Sequence, residues 1–121
     1  MDKVHYKRMT ICGSMRNRNE MLAANAYFSF LGYLVWAPPI LTETIAKSMN
    51  EDNIQKLKFL QREKIRKSTV ICFVLVDETM SDYITEQYEY AVAENKEIIM
   101  WYRNGKELYI NGILQTPEVP T

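Results

Sequence analysis

Thr69-Val70-Ile71-Cys72-Phe73-Val74-Leu75-Val76 is the stretch on which the reading of this chain turns. It is uncharged and rich in β-branched residues, and it forms the strongest strand signal in the sequence. A strand with one wet face alternates apolar and polar residues. This one does not alternate, so both faces are predicted to be buried, as at the centre of a parallel sheet. A charged helix is predicted just upstream, from about Glu51 to Lys67, with Ile54, Leu57, Leu60 or Gln61, and Lys64 or Ile65 in helical register. Downstream, a helix from Asp82 to Asn95 leads into a strand over Glu97 to Tyr102.

Farther out, Arg8 to Cys12 reads as a strand that stops at Gly13-Ser14. A helix follows from Asn19 to Leu31, with Met21, Ala24, Phe28 and Leu31 on one face, Asn17 or Asn19 as its cap, and Gly32 closing it. Tyr33 to Ala37 is a second strand, ended by Pro38-Pro39, and Ile40 to Asn50 reads as loop with room for a short helix. Asn104-Gly105 and Asn111-Gly112 are hairpin turn signals around Leu108-Tyr109-Ile110, and residues from about 115 to 121, with Pro117 and Pro120, form an irregular tail. The order β-α-β-α-β-α-β with a buried third strand predicts an α/β sandwich on a mostly parallel sheet. Ligands of such sheets bind at the carboxyl ends of the strands, here the segments 13–18, 37–40, 77–83 and 102–105.

Composition narrows the function. The 121 residues suit one domain spanning 1–121, and 47% hydrophobic with 25% charged residues is a globular balance. No apolar run approaches the roughly 20 residues that span a bilayer, so no membrane partner is expected. The N-terminal residues carry no secretory apolar region, which makes the cytosol the expected compartment. Cys12 and Cys72 sit inside apolar strand runs and read as buried free thiols. One histidine and no clustered cysteines leave nothing for a zinc site, so no metal is expected; no organic cofactor is expected either. Fifteen basic residues balance fifteen acidic ones, which excludes a general binder of nucleic-acid polymers. The balance is uneven along the chain. Met1 to Arg18 and Lys56 to Lys67 lean basic, and Asp77 to Glu97 is acidic except for Lys96. These segments are expected to meet around one pocket, basic where a phosphate sits and acidic along the sugar.

Three segments carry chemistry-bearing residues, and in one of them, Leu60 to Ser68, the charges most simply form a solvated helix face with Ile65, Leu57 and Gln61 as the inward candidates. In Cys12-Gly13-Ser14-Met15-Arg16, a glycine after a strand lets backbone N–H groups approach an anion, a serine adds a hydroxyl, and Arg16 can pair with phosphate. The loop is neither a Walker loop nor a dinucleotide fingerprint, and an ordinary strand–helix turn would also account for it. In Asp77 to Ala91, acidic residues and tyrosines crowd the start of a helix. Ser81 or Asp82 suits the N-cap, and the same residues suit a carboxylate-lined pocket with tyrosines to stack on a flat ligand.

Four motifs in order give these segments a common likeness. They are Ile11-Cys12-Gly13-Ser14-Met15-Arg16; Gly32-Tyr33 running into Ala37-Pro38; Leu60 with Lys64-Ile65 and Ser68 ahead of the apolar strand; and Glu89-Tyr90-Ala91 with Asn95-Lys96. From about Thr10 to Trp101 the chain resembles the nucleoside 2-deoxyribosyltransferase-like superfamily, which includes 2′-deoxynucleoside 5′-phosphate N-glycosidases. The resemblance implies a flavodoxin-like or Rossmann-like fold, a nucleoside or nucleoside monophosphate as partner, and a homodimer whose second subunit helps to close the site. It implies a helix glutamate that attacks C1′, expels the base and forms a glycosyl-enzyme ester, resolved by water or by a second base. Gly13, Ser14, Arg16 and Ser81 would hold phosphate or ribose, Asp77 would lie near the sugar, and Tyr83 or Trp36 would stack on the base.

At the nucleophile position the sequence departs from that pattern. Counting four back from Ala91, or six on from Ser81, gives Gln87, and an amide is not a carboxylate nucleophile. Glu86 lies about 100° from that direction on a helix and Glu89 about 200°. Three readings stay open: glutamine placed there in exchange for glutamate, a native glutamine in a protein that binds without cleaving, or a slipped alignment in which Glu86 or Glu89 is the nucleophile. A second departure is Gln61, where some relatives carry aspartate or histidine.

Overall fold

The computed structural model describes residues 6–39, 41–77 and 80–116. The first five residues, Ile40, Glu78, Thr79 and the tail with Pro117 and Pro120 lie outside these. The elements run β1 (Arg8–Gly13), a 3₁₀ turn (Met15–Asn17), α1 (Arg18–Phe30), β2 (Leu34–Trp36), α2 (Glu43–Ser48) and α3 (Glu51–Lys67). They continue with β3 (Val70–Val76), α4 (Asp82–Ala93), β4 (Glu97–Asn104), β5 (Glu107–Ile110) and β6 (Ile113–Leu114). One six-stranded sheet has the order β2-β1-β3-β4-β5-β6. The first four strands are parallel, and β5 and β6 are added antiparallel by hairpins. The fold is α/β and flavodoxin/Rossmann-like, as the element order requires.

β3 is flanked on its edges by β1 and β4 and covered on both faces. Val70 to Val74 are all fully buried, which is why the run lacks a polar alternation. On one face, Met21, Ala24 and Phe28 of α1 pack on Met9, Ile11, Val70, Cys72, Val74 and Trp101. Phe28 and Trp101 meet edge to face at 5.8 Å between ring centres, a geometry that aromatic quadrupoles favour. On the other face, Ile65 of α3 with Ile84 and Ala91 of α4 cover Cys12, Ile71 and Phe73. Ile11 and Cys72 are register neighbours whose side chains belong to adjacent strands. Cys12 and Cys72 are both free and buried, on opposite faces of the sheet.

Local chemistry sets the ends of the helices. Gly32, at φ +95°, closes α1 in a Schellman arrangement in which Tyr33 N–H donates to Phe28 O and Gly32 N–H to Ser29 O, both at 3.0 Å. Asn95 does the same for α4 at φ +57°, with Lys96 N–H donating to Ala91 O at 3.0 Å. Asn17 stands at the N-cap of α1 without a side-chain cap bond. Asn50 caps α3 in a reciprocal pair with Asn53. Residues 43–48 resolve as α2, capped by Thr42.

One inward assignment changes. Leu31 is exposed, because it is the C-cap residue past the last turn rather than part of the α1 stripe. On α3, of the two alternatives Leu60 and Gln61, Gln61 is the buried one, since it donates from Nε2 to Ile11 O at 3.0 Å and so keeps its amide satisfied inside.

Gly13 ends β1 where α1 crosses closest. A Cβ there would lie 2.9 Å from Met21 Sδ and 3.3 Å from the Val74 carbonyl. Gly13→Ala is expected to lower stability by about 1–3 kcal/mol through overpacking, read as a lower urea midpoint. Burial also pushes the Cys12 thiol from its ordinary 9.0 up to about 12 and raises that of Cys72 as well. The unfolded chain releases these protons near pH 9 while the folded chain holds them. Stability is therefore full below pH 9 and falls as pH rises toward 12, by about 1.4 kcal/mol per pH unit for each thiol. Denaturation midpoints between pH 8 and 11 check this, and Cys12→Ser should flatten the decline.

Candidate functional site

The chain leaves β1 for β2 on one side and returns over the sheet to β3 on the other. The loops after these two neighbouring strands diverge, which opens a crevice at their carboxyl ends. A cavity of about 380 Å³ lies there. Gly13, Ser14 and Met15 after β1 line it, with Pro38, Pro39 and Leu41 after β2, and Ala46 and Met49 around α2. α3 contributes Ile54, Leu57, Lys58 and Gln61, and the start of α4 contributes Ser81, Tyr83, Ile84 and Gln87.

The polar groups are few and mostly anchored. Gln61 Nε2 donates to Ile11 O at 3.0 Å and to Cys12 Sγ at 3.3 Å. A backbone carbonyl only accepts, so this contact fixes which end of the amide faces the sheet. The amide oxygen is then the atom of Gln61 that can serve a ligand. Gln87 is only 4% exposed. Its side chain lies near the Tyr83 hydroxyl, one turn earlier on α4. Burial raises the Tyr83 hydroxyl's pKa from its ordinary value, and the nearby Gln87 amide pulls the other way. Ser81 Oγ accepts from Ile84 N–H at 3.3 Å as the N-cap of α4 while also lining the cavity. Lys58 Nζ stands 5.5 Å from the centre of the Tyr83 ring. Cys12, under the first loop, remains a thiol at neutral pH and is no nucleophile there.

Of the residues singled out from the sequence, Gly13, Ser14, Ser81, Tyr83 and Gln87 come together in this lining. Arg16, Trp36, Asp77, Glu86 and Glu89 are not part of it. Arg16 is exposed in the 3₁₀ turn. Trp36 lies under the Arg8 guanidinium, 5.9 Å from ring centre to Cζ, because β2 is an edge strand whose ends face outward. Asp77 is exposed at φ +46°, its N–H donating to Arg103 O at 3.1 Å. Glu86 and Glu89 are exposed on α4, turned from Gln87 as helix geometry requires.

The expected acidic wall is absent from the described lining, where Lys58 is the one charged residue. The acidic side chains of α4 and most basic ones of α3 point to solvent, since both helices spend their inner faces on the sheet. Gln61, singled out in the sequence only as a departure from the family pattern, lines the cavity, and Lys58 was missed as a site residue. For Lys58 the sequence carries no signal, because one lysine among many reads as a solvated face.

Among the described residues no group of three His, Cys, Asp or Glu side chains is placed to hold a metal ion. None of the described helices is long and apolar enough to cross a membrane.

No family model matches the sequence, and no curated protein matches it. Among solved structures, the fold is similar to that of the Clostridium botulinum CMP N-glycosidase BcmB, with a TM-score of 0.53 and 16% identity. The match covers 79% of this chain and 71% of that one. At that identity the likeness is one of fold: the chain shares a distant architecture with a nucleotide N-glycosidase.

Proposed function

We propose that this chain binds a nucleoside or nucleoside 5′-monophosphate in the cavity at the ends of β1 and β3 and leaves its N-glycosidic bond intact. The observation that carries this reading is Gln87, a buried carboxamide in a cavity whose described lining holds no carboxylate. Covalent glycosyl transfer needs a carboxylate to attack C1′ and a proton donor for the leaving base. A neutral amide oxygen is a poor nucleophile, and the Gln87 amide is buried. Gln61 also carries an amide at a position where the family resembled by the sequence carries acidic or imidazole groups in some members.

The remaining features suit binding. Apolar walls from Pro38, Leu41, Met49, Ile54 and Leu57 can take a base, and Tyr83 offers a ring for contact. The hydroxyls of Ser14 and Ser81 and the amide oxygen of Gln61 can meet sugar, phosphate or base donors. A volume of 380 Å³ is in the range of small-ligand sites. The same reading includes a homodimer, for which Phe59 and Leu60, exposed on α3, offer apolar surface.

A second reading is cleavage or transfer of the base, favoured by the fold shared with a CMP N-glycosidase. It requires a carboxylate to reach C1′ from outside the described lining. Incubation with the common nucleosides and their 5′-monophosphates separates the two. With ligand at about 100 times Kd, the melting temperature should rise by on the order of 10 °C and chromatography should detect no free base. Gln87→Glu should release base slowly from the ligand that the wild-type protein merely binds. Release by the wild-type protein favours the second reading, and no thermal shift with any ligand overturns both.

A further inference from the structure

We infer that Lys58 selects for an anionic group on the ligand, so that the cavity takes a nucleoside 5′-monophosphate in preference to the nucleoside. This rests on the reading that the cavity binds nucleosides or their monophosphates.

Lys58 is the one charged residue in a lining otherwise made of apolar side chains, hydroxyls, carboxamides and one phenol, among the described residues. The ion pairs of the described residues do not include it. Lys47 and Arg66, on α2 and α3, both hold carboxylates at under 3 Å. The ammonium of Lys58 lies over the face of Tyr83, 5.5 Å from the ring centre. That contact is made with the π-cloud, so it holds the head group in place without using up its three N–H donors.

Placement reinforces the charge. Tyr83 is two residues past Ser81, so the ammonium stands beside the same end of α4 that presents Ser81 to the cavity. A cation is least favoured at the positive end of a helix unless an anion lies between them. Asp82 offsets part of that cost from the first turn of α4 and is exposed. A ligand phosphate would complete the arrangement with charge-assisted bonds from Lys58 and neutral ones from Ser81. The base and sugar would then occupy the apolar part of the cavity. A neutral nucleoside leaves the lysine uncompensated beside apolar walls.

Calorimetric titration of the full chain with cytidine, uridine, adenosine and guanosine, and with their 5′-monophosphates, tests the inference. A monophosphate should bind about tenfold or more tightly than its own nucleoside, in keeping with a charge-assisted contact. Lys58→Met should lower monophosphate affinity by about tenfold and bring it close to that of the nucleoside. Lys58→Arg should keep the preference, and Lys67→Met, at the far end of α3, should keep it too. A melting temperature measured for each variant confirms that it is folded. Equal binding of nucleosides and monophosphates by the wild-type protein overturns this inference and leaves the nucleotide reading standing. Preference retained in Lys58→Met does the same. Failure of both ligand classes to bind overturns the nucleotide reading and this inference with it.

Discussion

β3 is buried on four sides, between β1 and β4 along its edges and between α1 and the α3–α4 pair on its faces. The arrangement of the other elements follows from that enclosure. Parallel neighbours cannot be joined by hairpins, so the chain must cross over the sheet between strands, and its crossover helices supply the covers. Because β1 is joined to β2 on one flank while β3 continues toward β4 on the other, the loops after β1 and β3 part company. The cavity is the gap they leave. The cavity is thus a consequence of how the central strand is covered.

Polar groups inside this framework are held by specific partners. Thr10 Oγ1 and Ser68 Oγ meet at 2.7 Å between β1 and the end of α3, and Gln61 reaches the β1 backbone from the same helix. No buried side-chain nitrogen or oxygen among the described residues lacks a partner. Gln61 therefore ties α3 to β1 and is also part of the cavity lining. Glu20, at the start of α1, accepts from Trp101 Nε1 at 2.8 Å and Arg103 Nε at 2.9 Å, which fixes the opposite helix to the end of β4. The two ties hold α3 and α1 to the sheet, one on each face, while α2 has no buried residue. The cavity is bounded by the ends of central strands on one side and by a helix with no buried residue on the other.

The chemistry of the site is decided by what faces inward. α4 carries several carboxylates, yet the helical turn that directs Gln87 into the cavity directs Glu86 and Glu89 out of it. Neutral amides at positions 61 and 87 and one ammonium, from Lys58, are the amide and charged groups of an otherwise mostly apolar described lining. Opposed charged segments along the chain therefore do not become opposed walls.

The unalternating run at 69–76, the glycine stop after β1, the Gly32 closure and the Asn-Gly turns are local signals, and they determined the element order and the parallel core. Gln87 was legible as well, because its spacing from Ser81 and Ala91 is a property of one helix. Lys58, the outward turn of Trp36 and the placement of Arg16 and Asp77 outside the lining were not. Each depends on which face of an element meets another element far away in sequence. The sequence by itself determined the sheet, the order of its crossovers and the absence of a carboxylate at position 87, since short-range periodicity and turn chemistry govern all three. Only the tertiary structure decided which of many similar charges lines the cavity, because that depends on how α3 and α4 are rotated when their apolar stripes meet the sheet.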